Sequence, residues 1–293
     1  MREEMINRIA EKIKEEVGVE CEVRMGEVVR NNGLVSQAMG IIEPGAYVYP
    51  RICIDDLLKG IELGEISIQE AVQEILRIYR KYRNNERFAN IFRSNDKQHI
   101  LGKVTYQLVN MEKNRRMLCN MPHREFLDLA VIYRVTVGED EFERDSFMVN
   151  KEICERYKIS ETELEYAAAR NTEKLGFEIL PMTSILNEIK GGQEEVCEYN
   201  HNIWVLTSTY NLNGATVMLY NEYFSRLAKN IGSDLYILPS SIHEVLAVPI
   251  DGIEPSELKE IVSIVNSSDV PENEVLSENV YRYSLKENKL IIA

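Results

Sequence analysis

Apolar residues recur along this chain at two periods, and the switches between them mark its elements. Met5, Ile6, Ile9, Ile13 and Val17 fall at helical spacing, and Gly18 ends that run. Val19–Met25 alternates as a strand, and Asn31, Asn32 and Gly33 signal a turn. Extended structure resumes over Leu34–Ile42 and, after Pro44 and Gly45, over Tyr47–Ile54. Asp55 and Asp56 set carboxylates at the positive end of a short helix. Ser67 then caps a longer helix whose apolar stripe is Ile68, Ala71, Val72, Ile75, Leu76, Tyr79 and Tyr82.

The middle of the chain predicts a helix over Asn95–Glu112, a strand at the end of Arg124–Val137, a turn at Gly138 and a strand over Phe142–Val149. Helices follow at Lys151–Tyr157 and Ser160–Leu175. The second opens on a capping box, Ser160 with Glu163, and buries Leu164, Ala167, Ala168 and Leu175. The last third predicts strands Asn202–Tyr210 and Ala215–Tyr220 about an Asn-Leu-Asn-Gly turn, then a helix over Glu222–Ile231. A hairpin of Leu235–Leu238 with Val245–Ile250, a helix over Ser256–Asn266 and a closing hairpin of Val280–Leu285 with Lys289–Ile292 complete it. Strand pairs on tight turns with helices between them predict an α+β fold, antiparallel sheets covered by helices. Two or three helix–strand–strand units are expected, over residues 1–94, 95–191 and 192–293.

Composition narrows the class. With 44% hydrophobic and 28% charged residues the chain reads as globular. No stretch approaches the ~20 apolar residues of a membrane span. Met1–Arg8 is charged and has no signal-peptide core. Cys21, Cys53, Cys119, Cys154 and Cys197 are odd in number and widely spaced, which predicts reduced thiols and a cytoplasmic location.

The formal charge of −14 is unevenly spread: Arg77–Arg116 holds eleven Lys/Arg against three acids, a net of +8, and the remainder −22. Such an acidic surface disfavours nucleic acid and anionic membranes as partners. Within the basic stretch Arg77, Arg80, Arg83, Arg87 and Arg93 alternate with Tyr79, Tyr82, Phe88 and Phe92, a pattern that single-strand binders use. Tyr79 and Tyr82 continue a helical stripe, however, so the expectation is an electrostatic seam. In that reading at least some of these five arginines, Arg80 and Arg83 among the candidates, lie within salt-bridge reach of acidic side chains.

Candidate chemistry concentrates at Pro239–Glu244, a polar hairpin tip. Ser240 or Ser241 with His243 and Glu244 suggests a hydrolase, but neighbours on a strand face opposite ways, so Glu244 is poorly placed to orient His243. Cys197 and His201 have helical ligand spacing inside a loop-like sequence and lack a second pair, so no metal is expected. Neither glycine-rich phosphate motif occurs, and no cofactor is expected. The leading expectation is a non-enzymatic cytosolic binding or protein-interaction protein with an unknown protein partner. The alternatives are a hydrolase using His243 with Glu244 or Ser241, and an acidic nucleic-acid mimic or accessory protein of a mobile element. A deep cleft joining His243 or Glu244 to a distant carboxylate or basic group would favour an enzyme.

Four stretches, Arg30–Leu34, Pro50–Asp56, Ile153–Asn171 and Asp234–Glu244, resemble an uncharacterised bacterial family classed as a domain of unknown function. That family is common in gut anaerobes and is often associated with mobile elements. Tyr157–Leu164 followed by Ala167–Thr172 is similar to a second, broader family of unknown function. The resemblance implies a bacterial cytosolic origin and brings no catalytic residue, cofactor or substrate.

Overall fold

The computed structural model describes residues 2–45, 49–83, 96–137, 146–189, 202–239 and 241–293. The chain opens with α1 (Arg2–Val17), β1 (Glu22–Val29), β2 (Val35–Ile42), β3 (Arg51–Cys53), α2 (Asp55–Glu62) and α3 (Ile68–Arg83). It continues through α4 (Lys97–Leu101), β4 (Val104–Asn110), α5 (Arg115–Leu118), β5 (Arg124–Phe126), β6 (Leu129–Thr136), β7 (Ser146–Met148), α6 (Lys151–Tyr157), α7 (Glu161–Leu175), β8 (Phe177–Pro181) and α8 (Met182–Ile189). The last third holds β9 (Trp204–Ser208), α9 (Asn221–Ile231), β10 (Leu235–Leu238), β11 (Glu244–Pro249), α10 (Pro255–Ser268), β12 (Tyr281–Ser284) and β13 (Lys289–Ile292). Short 3₁₀ turns lie at Asn31–Gly33 and Gly214–Leu219. The fold is α+β, and the pairings between the described strands are antiparallel.

Three sheets result. In the first, β1, β2 and β3 lie in chain order. In the second, β6 has β4 on one side and both β5 and β7 on the other. The third runs β13-β12-β10-β11-β9-β8. Around the first sheet Ile9 and Ile13 of α1 meet Met39 and Ile41 of β2 and Val72, Ile75 and Leu76 of α3. Each such fully buried side chain contributes about 1.5–3 kcal/mol over its exposed state. A larger core draws Leu108, Val131, Tyr133 and Leu164 together with Leu206, Phe224, Ile237 and Tyr283. The described parts of 95–191 and 192–293 therefore share one core, and β8 supplies the edge strand of the last sheet.

The elements depart from the sequence pattern in several places, the short helix α5 among them. The helix expected over Asn95–Glu112 stops at Leu101, where Gly102 N–H closes on Gln98 O at 2.8 Å. The β-branched and aromatic run that begins at Val104 then pairs as β4. Ala215–Tyr220, expected as a strand, belongs to a 3₁₀ turn entered through Asn213 in the left-handed region, with Tyr220 N–H bonded to Val217 O at 2.9 Å. The strand β8 and the helix α8 carried no sequence expectation. Among the described residues no helix is long and apolar enough to cross a membrane.

Candidate functional site

Among the described strands β4 pairs with β6 alone, which leaves its other edge open to side-chain partners. Thr172 of α7 covers part of it: Tyr106 N–H donates to Thr172 Oγ1 at 2.9 Å. Between that edge and the bend at Ser208–Thr216 lies a cavity of about 270 Å³. This is just under the ~300–1,000 Å³ typical of drug-sized ligand sites, so it suits a small molecule.

One wall comes from the second sheet. Thr105 and Arg134 are cross-strand partners, and residues two apart share a face, so Thr105, Gln107, Arg134 and Thr136 all point the same way. Further along that face Val109, Ala130 and Ile132 are apolar and pack with Met117 and Leu118. The face turns from apolar to polar where it meets the cavity.

Arg134 dominates this wall. Its Nε and Nη2 donate to Ser146 Oγ at 3.1 and 2.7 Å, and Nη1 donates to Gln107 Oε1 at 3.1 Å. It forms no ion pair with a described carboxylate, and burial alone pushes its pKa down. A desolvated cation held only by neutral acceptors is costly, and an incoming anion would relieve that cost. On either side of it, the hydroxyls of Thr105 and Thr136 make no hydrogen bond to a described residue. They are free to donate into the cavity.

The wall is braced from behind. On the opposite face Tyr133 OH donates to Glu165 Oε2 at 2.6 Å, and Arg124 Nε donates to Glu165 Oε1 at 2.9 Å. Burial opposes charge on Glu165, but the bonds from Tyr133 and Arg124, with the Tyr106 hydroxyl close by on the Glu165 carbonyl, hold its carboxyl below the usual range. That locks α7, and with it Thr172, against β6.

His243 stands on the other wall and is held at its backbone N–H, its carbonyl and its Nδ1. Its N–H donates to Ser241 Oγ at 2.9 Å, and its carbonyl accepts from Thr207 Oγ1 at 2.9 Å. Its Nδ1 accepts the Asn213 N–H at 3.2 Å, which puts the proton of the neutral ring on Nε2. Nε2 lies 3.9 Å from Glu274 Oε2, too far for a direct hydrogen bond. Asn213 and Thr216 join His243 along this wall.

The residues singled out in the sequence separate in space. Ser241 is buried, and its hydroxyl takes the backbone N–H of His243 in a local turn. Glu244 is half-buried at the start of β11, opposite Thr207 of β9. Ser240 lies outside the described residues, as do Arg87, Arg93, Cys197 and His201. Arg80 and Arg83 sit on α3, in the unit with the separate N-terminal core. There Arg83 Nε pairs with Glu43 Oε1 at 2.7 Å and Arg77 Nη2 with Glu74 Oε1 at 2.7 Å, while Tyr79 is buried. The sequence reading reached His243 and missed Arg134, Gln107 and Ser146. The available signal was a lone arginine in the otherwise apolar run Leu129–Val135.

A family model described as a family of unknown function, DUF5688, matches residues 2–285. The chain belongs to that family. No curated protein and no solved structure matches it.

Proposed function

We propose that this protein binds a small molecule through an oxyanion, a carboxylate or phosphoryl group, in the cavity between β4 and the Ser208–Thr216 bend. The observation that carries the reading is Arg134, a desolvated guanidinium with no carboxylate partner among the described residues, flanked by the two open hydroxyls of Thr105 and Thr136. A guanidinium is suited to planar oxyanions, and hydrogen bonds to a charged group are roughly twice as strong as neutral ones. This is a binding role in the first instance. It accords with the cytosolic, bacterial and mobile-element setting that the family resemblance implies, which remains part of the proposal.

Isothermal titration with inorganic phosphate and with acetate tests it. Binding of at least one is expected in the parent protein, with a loss of roughly tenfold or more in Arg134→Gln, since a hydrogen bond to charge is worth about 1.5–3 kcal/mol. Thr105→Val and Thr136→Val should each weaken it less. Equal affinity in the parent and in Arg134→Gln would remove the proposal.

A second reading, hydrolysis, is favoured by a different observation: His243 lines the same cavity as Arg134 and lies beside Glu274. In that reading His243 and Glu274 act on a water, and Ser241 serves the turn, because its hydroxyl is engaged by the backbone. Turnover of a phosphomonoester or ester that is lost in His243→Ala would raise this reading above simple binding.

A further inference from the structure

We propose that the N-terminal unit sets the geometry of the cavity through the segment 271–276; the proposal rests on the binding reading above and concerns its regulation. The 3₁₀ turn between β1 and β2 grips that segment by its main chain. Asn31 Nδ2 donates to Asn273 O at 2.7 Å, and Asn32 Nδ2 donates to the carbonyls of Glu272 and Val275, each at 2.7 Å. The same segment braces the cavity from its other side. Ile242 N–H donates to Glu274 O at 2.9 Å, and the Glu274 carboxylate lies 3.9 Å from His243 Nε2. Ile242 and His243 both line the cavity.

The segment forms turns and irregular backbone with no strand or helix ladder; Leu276 anchors its end in the larger core, and the placing of residues 272–275 depends on what holds their carbonyls. The grip itself is rigid. Asn32 sits at φ 61°, its N–H donates to Asn114 Oδ1 at 2.9 Å, and its Oδ1 accepts from Asn114 Nδ2 at 3.2 Å. Asn114 is fully buried. A shift of the N-terminal turn thus moves the carbonyls of 272–275 and, through Glu274, the Ile242–His243 wall. Coupling of this kind is reciprocal: an anion in the cavity would stabilise the docked N-terminal unit.

Two variants separate this from the binding reading. Asn32→Gly tolerates the left-handed backbone and removes both side-chain donors, whereas Arg134→Gln strikes the cavity alone. Amide exchange followed by NMR without ligand should show faster exchange at Ile242 and His243 in Asn32→Gly. Tyr236–Leu238 of the adjoining strand β10 should stay protected, which a general loss of folding would not allow. Titration of Asn32→Gly with inorganic phosphate should show affinity lowered about fivefold or more, the low end for coupled sites. If the parent protein fails to bind either probe anion, the binding reading falls, and the exchange result still decides the mechanical link. Unchanged exchange at Ile242 and His243, or a rise spread evenly over the sheet, overturns the proposal.

Discussion

At Gly214 the far wall of the cavity leaves no room for a side chain. A Cβ there would lie 2.3 Å from His243 O, 2.4 Å from Ser208 N and 2.5 Å from Thr207 Oγ1. Two of these are backbone atoms and the third belongs to a hydroxyl already bonded to His243 O, so none yields cheaply. Gly214→Ala should therefore cost about 1–3 kcal/mol in urea unfolding and weaken anion binding with it, because Asn213 and His243 must part. A variant as stable as the parent would mean that the bend rearranges freely. The glycine was legible in the sequence as part of an Asn-Leu-Asn-Gly turn, since Asn211 and Asn213 do take positive φ. Its closeness to His243 was not, because that contact joins positions far apart in the chain. Arg134 illustrates the same limit. In Leu129–Thr136 it occupies the phase of a solvent-facing strand residue, and only the pairing of β4 with β6 reveals that Gln107 shares its face.

Elements were legible where turn and cap chemistry mark them. Pairing of β10 with β11 and of β12 with β13 follows the apolar runs and the turns between them, as expected. The capping box of α7 is present in full: Ser160 Oγ accepts the Glu163 N–H while Glu163 Oε2 accepts the Ser160 N–H. β4 and β8 were harder. β4 follows a single turn of helix closely enough to read as its continuation, and β8 is a short strand after a strongly capped helix. The cap also yields a pH prediction. Lys97 Nζ donates to Glu163 Oε1 at 2.6 Å, and this bond, with those from the Ser160 backbone and hydroxyl, lowers the Glu163 carboxyl from 4.5 to about 2. A folded pKa below the unfolded one means the stabilisation is whole above pH 4.5 and is lost as pH falls toward about 2. Melting of the parent and of Glu163→Gln should thus differ most near neutral pH and converge through that acid window. A constant difference across it would show that charge on Glu163 adds nothing to the cap.

Among the described residues the two largest hydrophobic cores lie within Ile9–Tyr79 and over Ile100–Leu290, and a small cluster of Val109, Met117, Leu118, Ala130 and Ile132 is reached from the N-terminal unit by Val29. Asparagines form a polar seam between the two large cores. Asn114, fully buried, bonds to Asn32 through two bonds and donates to Asn110 O at 2.9 Å, and Asn110 Nδ2 donates to Leu276 O at 3.2 Å. A seam of this kind differs from an apolar contact in how it fails. Trimming an apolar side chain leaves its neighbours partly packed, whereas removing Asn114 leaves the Asn32 N–H and Oδ1 without their partners. Each such orphan costs about 1–3 kcal/mol when buried, enough to separate the stabilities of the two bodies. The single tryptophan, Trp204, stands on β9 and reports only the larger body, while far-ultraviolet circular dichroism reports both. In the parent protein the urea transitions by fluorescence and by dichroism should coincide, as they do for one cooperative unit. In Asn114→Ala the dichroism should begin to fall at lower urea than the Trp204 signal, as the N-terminal unit lets go and melts first. If both probes move together to a lower midpoint, the seam is one contact among many and the two cores fold as one body without it.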